Sequence, residues 1–230
     1  MNLIMKQMPV VVSALNVGFL QTLKLFIVTL VGALPLGLVI AFGSMSHFKP
    51  LSWLARLIVW VIRGTPLMIQ LLIIYYFPGL VLHNPIWGGG ETGRFLAAAV
   101  SFIINYACYF SEIYRGGIQG VPEGQKEAAK SIGMTGLQAF FRVIFPQAVT
   151  VALPMFANQF LSTMKSTSIV FVITVVELFG AAKLFSEDSM RYFEAYMAVA
   201  ILYWLMGVGF EFIFGKMEVR SNRFRKGNLA

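Results

Sequence analysis

Five long apolar stretches constrain this chain more than any other feature. They run near Gly18 to Phe42, Pro66 to Leu82 with an apolar lead-in from Leu51, Phe95 to Ile113, Val149 to Phe171, and Ala195 to Phe214. Crossing about 30 Å of hydrocarbon at about 1.5 Å per residue takes roughly 20 apolar residues. The stretches therefore predict an all-α integral membrane protein with five transmembrane helices. Only 12% of the 230 residues are charged, against about 25% in a typical soluble domain. That leaves too little polar surface for a soluble globule. A disordered chain and a nucleic-acid-binding domain are excluded for the same reason, despite a net charge of +8. The single cysteine, Cys108, excludes an internal disulfide framework. His47 and His83 are the only histidines and lie far apart, which argues against a metal centre. The spans fit one compact bundle, so the whole chain, 1–230, reads as a single transmembrane domain. The run after Lys6 is too long for a cleaved signal core, so the first span is expected to be retained.

Lys and Arg beside membrane spans stay on the cytoplasmic side. One side collects Lys49, Arg56, Lys126, Lys130, Arg142, Lys216, Arg220, Arg223, Arg225 and Lys226. The other collects Lys6, Arg94, Lys183 and Arg191. This bias predicts an external N-terminus and a cytoplasmic C-terminus, and it accounts for the positive charge without nucleic acid. The polar segment 116–147 is then cytoplasmic. Within it, Pro122 and Glu123 suit a helix start, with the acid near the positive end of the helix dipole. Glu127 to Ile132 are mostly good helix formers, and Gly133 either stops the helix or admits a close backbone. A short helix lying between two turns can pass force from a cytoplasmic partner to the spans. It can equally be a solvated connection.

The run Glu127-Ala128-Ala129, then Gly133, then nine residues, then Val143-x-Phe145-Pro146 resembles the EAA loop of permeases from ATP-binding-cassette (ABC) importers. That family usually has Ile and Leu where Val143 and Phe145 stand. Arg63-Gly64-Thr65-Pro66-Leu67 with Gln70 is similar to the polar amino acid uptake branch. So are Ser111-Glu112-Ile113-Tyr114-Arg115, Asn158-Gln159-Phe160 and Lys165-Ser166-Thr167-Ser168. The likeness runs from about Gly18 to about Tyr203. It implies a type I importer (MetI-like) bundle in a bacterial inner membrane. It implies that Pro122, Glu123, Glu127, Ala128 and Gly133 couple the spans to an ATPase subunit, that an extracytoplasmic amino acid-binding protein delivers substrate, and that a second permease chain completes a homo- or heterodimer. The sequence has no GxxxxGK[ST] phosphate loop, so no cofactor is expected in this chain, and ATP and Mg are expected on the partner. The chain is read as a transport subunit, not an enzyme.

A charge at membrane depth costs roughly 2.5–3.5 kcal/mol on insertion scales and needs a reason. Lys165 lies deep in the fourth span with Asn158, Gln159, Ser162 and Ser166 at helical spacings. These residues can line a path for a small solute, with the Lys165 ammonium on an amino acid carboxylate and Gln159 near its side chain. They can instead bond helix to helix. Arg115 either neutralises Glu112 one turn before it or offers a second charge to the substrate. Family members that move cationic amino acids can carry an acid at the position of Gln159, so its absence leans toward a neutral or amide-type substrate. Arg63 precedes a helix break at Pro66 and suits a headgroup, a neighbouring loop or the site itself. Glu177 is a candidate for closing the outer mouth. An ion-coupled carrier or channel is the main alternative, but it predicts paired intramembrane acids and inverted repeats, which the sequence does not display. A membrane enzyme would need a His, Asp or Cys cluster.

Overall fold

The computed structural model describes residues 2–226, with side chains for 12, 13 and 15–220. Lys6, Arg223, Arg225 and Lys226, used above for orientation, lie outside the described side chains. Among the described residues, nine α-helices follow in order: α1 (Asn2–Ser44), α2 (Lys49–Gly64), α3 (Leu67–Leu80), α4 (Glu91–Gln119), α5 (Glu123–Ser131), α6 (Gly136–Ala139), α7 (Phe145–Ser166), α8 (Leu178–Ser189) and α9 (Tyr192–Lys226). A π-helical turn, Phe140–Ile144, leads into α7, and a 3₁₀ stretch, Thr167–Ile173, extends it. Four helical stretches among the described residues are long and apolar enough to cross a membrane: 15–44, 91–119, 136–173 and 192–220. The pair α2–α3 brings the number to as many as five.

That pair contains the break expected at Pro66. The apolar lead-in from Leu51 is a helix of its own, and α3 leaves it at 104°. Pro66 has no N–H to continue the α2 ladder, and it disfavours helical backbone at Thr65, whose φ is −115° and ψ 145°. Arg56 fixes α2 against the end of α1, donating from Nε and Nη2 to the Ser44 carbonyl, each at 3.1 Å.

Helix α4 is the centre of the bundle. Phe102 and Phe110 are fully buried, and Leu25, Ala33 and Ala107 join them in the main core. Helix α1 comes close enough to α4 that a Cβ on Gly37 would sit 2.8 Å from the Ala107 carbonyl oxygen and 3.0 Å from the Phe110 Cβ. Small residues allow this approach where apolar surface alone cannot drive helices together in lipid. Gly37→Val should therefore force α1 off α4 at a cost of about 1–3 kcal/mol. A lowered melting temperature in detergent checks this.

Helix α8 is absent from the sequence expectation, being only 12 residues long. Its start is made by Glu177, which is fully buried and caps the Phe179 and Gly180 amides at 3.0 and 2.9 Å. The same carboxylate accepts from Tyr203 of α9 at 2.9 Å and from Thr22 of α1 at 3.4 Å. One side chain thus ties α1, α8 and α9 together at the end of the bundle where α4 begins. At the opposite end lie α2, α5 and the turn after α1.

Candidate functional site

Breaking a helix inside a bundle leaves backbone groups without partners and makes room beside the break. Here the break at Pro66 borders a cavity of about 390 Å³. Arg63, Thr65 and Pro66 form one wall, Asn105, Tyr106 and Tyr109 of α4 another, and Gln159, Ser162 and Ser166 of α7 the third. Asn105 lies halfway along the 29 residues of α4, so the cavity sits near mid-bundle.

The corner itself is stapled. Gln70 Nε2 donates to the carbonyls of Ile62 and Thr65 at 2.7 and 3.1 Å and faces the Thr65 hydroxyl at 2.7 Å. The Thr65 hydroxyl bonds back to Val61 at 3.0 Å. Gln70 Oε1 accepts from Asn105 Nδ2 at 2.9 Å, which joins the corner to α4. Two sequence features used above, Thr65 and Gln70, thus act as structural pins of the break.

Beside the cavity, Glu112 stands between two guanidinium groups. Arg115 Nε bonds one carboxylate oxygen at 3.0 Å, and Arg63 Nη1 lies 3.5 Å from the other. Arg115 also reaches Gln119 at 3.0 Å, and Arg63 lies over the Tyr109 ring at 5.1 Å. The ion pair of Glu112 with Arg115, one of the two alternatives the sequence leaves open, is present in the structure, with Arg63 as a second cation beside it.

The predicted site residues divide. Gln159 and Ser162 line the cavity; Glu112 and Arg115 flank it; Asn158 and Lys165 are exposed on a neighbouring face of α7, and neither side chain makes a hydrogen bond or ion pair among the described residues. Successive helix positions differ by about 100°, so Lys165 and Ser166 cannot share a direction. Ser166 belongs to the polar stripe expected with Gln159 and Ser162, whereas Asn105, Tyr106 and Tyr109 are not marked for the site by the sequence. The available signal was Asn105, an amide in the middle of an otherwise apolar span.

The polar connection, 116–147, folds as the sequence suggests. Pro122 precedes α5 with φ −55° and ψ 138°, and Glu123 opens the helix. Lys126 hydrogen-bonds the Glu123 carboxylate at 2.8 Å and holds its pKa below the usual range. Gly133 has φ +78° and completes a Schellman motif: its N–H bonds Lys130 O at 2.9 Å, and Met134 N–H bonds Ala129 O at 3.1 Å. Ala129 faces inward while Glu127, Ala128 and Gly133 are exposed. Val121, Ile144 and Ala148 form a small core under this segment, and Gln147 bonds Gln125 at 3.1 Å. The helix is thereby fixed to the start of α7.

Residues 33–221 match the family described as binding-protein-dependent transport system inner membrane component. The chain belongs to this family. It is a multi-pass component of an inner-membrane transport system. It is 37% identical to the octopine transport system permease protein OccM of Rhizobium radiobacter, covering 93% of this chain and 94% of that one. It is 36% identical to the L-cystine transport system permease protein TcyB of Bacillus subtilis, over 91% and 87% of the two chains. A solved amino acid ABC transporter with histidines superposes with a TM-score of 0.82 at 37% identity, over 91% of this chain and 94% of that one. The methionine transporter MetNI, in an inward-facing form, shares the fold at TM-score 0.67 and 15% identity, over 94% and 98%.

Proposed function

We propose that this chain is the permease subunit of an ATP-driven importer and forms the membrane path for a polar amino acid. The observation that carries the reading is near full-length likeness to amino acid ABC permeases in a fold with a polar cavity at a broken span. An extracytoplasmic binding protein delivers the substrate at the end where α8 lies. An ATPase subunit docks at the opposite end, on the exposed side of α5, so that Glu127, Ala128 and Gly133 meet it with Pro122 and Glu123 setting the helix start. The N-terminus is outside and the C-terminus cytoplasmic.

Lys165 and Asn158 look outward from α7 at membrane depth, where contact with lipid is costly. They face a second permease chain, identical or related, across a shared path. Gln159 and Ser162 contact the solute in this chain, while Glu112 and Arg115 set the charge beside it. ATP and Mg belong to the ATPase. Ligand binding must differ between inward-open and outward-open forms for the cycle to have direction.

The test is reconstitution in proteoliposomes with the cognate ATPase and binding protein. Uptake of labelled amino acids is expected only with internal ATP and with both partners. Uptake that persists without the ATPase would replace this reading with an ion-coupled carrier or channel.

A further inference from the structure

Helix α2 turns its polar side to protein and its apolar side outward. Lys49, Ser52, Arg56 and Arg63 fall on one narrow strip, the three cations seven residues apart. That strip is held by the bundle. Ser52 is buried and donates to the Ser44 carbonyl at 2.9 Å, Arg56 donates to the same carbonyl, and Arg63 lies 3.5 Å from Glu112. Trp53, Leu54, Leu57, Ile58, Trp60 and Val61 occupy the other side, about half of the circumference at roughly 100° per residue. All six are exposed, Trp53 at 65% and Trp60 at 75%, and no charge interrupts them.

The placement of α2 is an independent observation. Helix α3 packs along α4 through Leu71 and Tyr75, and α4 is long and apolar enough to cross a membrane. Helix α2 meets α3 at 104°, so its axis lies near the membrane plane. Its 16 residues reach about 24 Å, too short to cross about 30 Å of hydrocarbon. Its polar strip is tied to Ser44, where the span 15–44 ends, so α2 sits at the end of the bundle that holds α5. The helices before and after it also expose apolar side chains beside it in the chain, Phe42 at the end of α1 and Met68 and Ile69 at the start of α3. The Trp87 indole bonds the Ile74 carbonyl, whereas those of Trp53 and Trp60 make no hydrogen bond among the described residues. Amphipathic rings with a free N–H suit the boundary between hydrocarbon and headgroups.

We infer that α2 is an in-plane membrane anchor whose apolar side sits among the acyl chains of the cytoplasmic leaflet. The inference takes the leaflet from the orientation proposed above and is independent of the solute. Acyl chains receive the six apolar side chains, and the Trp53 and Trp60 indoles reach the wetter layer beside them. An interfacial helix ordinarily gives its polar side to water and its apolar side to lipid. Here the Ser44 carbonyl and the Glu112 carboxylate take the place of water, so the polar strip never meets hydrocarbon. The partner is the hydrocarbon itself, whatever headgroup it carries.

The test places nitroxide labels on α2 in the assembled permease and ATPase in liposomes, with Cys108→Ser in the permease and a cysteine-free ATPase. Leu54→Cys and Val61→Cys carry the label on the apolar side, seven residues and about 10 Å apart along the axis. Accessibility to dissolved oxygen and to a water-soluble nickel chelate reports the depth of each. Both labels are expected to meet oxygen more than the chelate, at depths that differ by less than half of that separation. A larger difference marks a helix running through the membrane and overturns the inference. A label that meets the chelate more than oxygen puts this side in water, and one shielded from both puts it under the ATPase or a second copy; either overturns the inference. Leu51→Cys and Ile58→Cys, also seven apart on this side, are read by the same criteria where the first pair does not assemble. Labels as expected, with no ATP-driven amino acid uptake by the full system, support the anchor and strike the transport reading. Labels in water or at unequal depths, with uptake intact, overturn the anchor and spare that reading.

Discussion

Replacing Gly133 with valine is expected to cut amino acid uptake at least tenfold while the complex continues to hydrolyse ATP. Gly133 occupies left-handed backbone at φ +78°, and no atom within 4 Å would meet a Cβ placed there. The penalty is therefore conformational. A residue with a Cβ pays about 1–2 kcal/mol in this region, and a β-branched one is a genuine outlier. Since 1.4 kcal/mol is a factor of ten in an equilibrium, the strain is enough to open the cap that ends α5. Releasing the Gly133 and Met134 amides from Lys130 and Ala129 frays the helix at its exposed end. Gly133→Asn is the control, because asparagine tolerates left-handed backbone. It should keep most uptake. Equal loss in both variants would show that the position needs a missing side chain against its partner, and the capping account would fail.

The second large effect is expected at Glu177. Leucine there would leave the Phe179 and Gly180 amides and the Tyr203 hydroxyl without the acceptor they now share. Each buried group left unsatisfied costs about 1–3 kcal/mol, so the sum is comparable to the stability of a whole domain. Glu177→Leu should yield no monodisperse protein in detergent. Tyr203→Phe removes one donor and keeps the helix cap, so it should lower the melting temperature by only a few degrees. A well-behaved Glu177→Leu protein with wild-type melting would show that the knot around this carboxylate contributes little to the fold.

Much of the architecture could be read from the residues because the membrane imposes it. Five apolar runs, the helix start at Pro122-Glu123 and the stop at Gly133 each follow from local chemistry. Other features depend on neighbours distant in the chain. Pro66 signals a break but not an angle; the 104° turn needs Gln70 and Asn105 to hold it. Lys165 and Ser166 carry equally polar labels, yet only the packing of α7 against α4 decides that Ser166 meets the cavity. Glu177 reads as a charge near the outer mouth until Thr22 and Tyr203, 155 and 26 residues away, are brought to it. Asn105 is a single amide in a long apolar run, and its importance appears only when Gln70 fixes one half of it.

The stapled elbow has a mechanical consequence. A proline break is often a place where a helix flexes, but Gln70 of α3 reaches back across this one and closes the Ile62 and Thr65 carbonyls on the α2 side. Bending would have to tear those bonds in a medium without water to replace them. The two arms therefore turn together, as a bell crank does. A sideways push on the arm lying across the base of the bundle becomes a tilt of the arm standing in it, and the solute chamber at the pivot changes shape with every stroke.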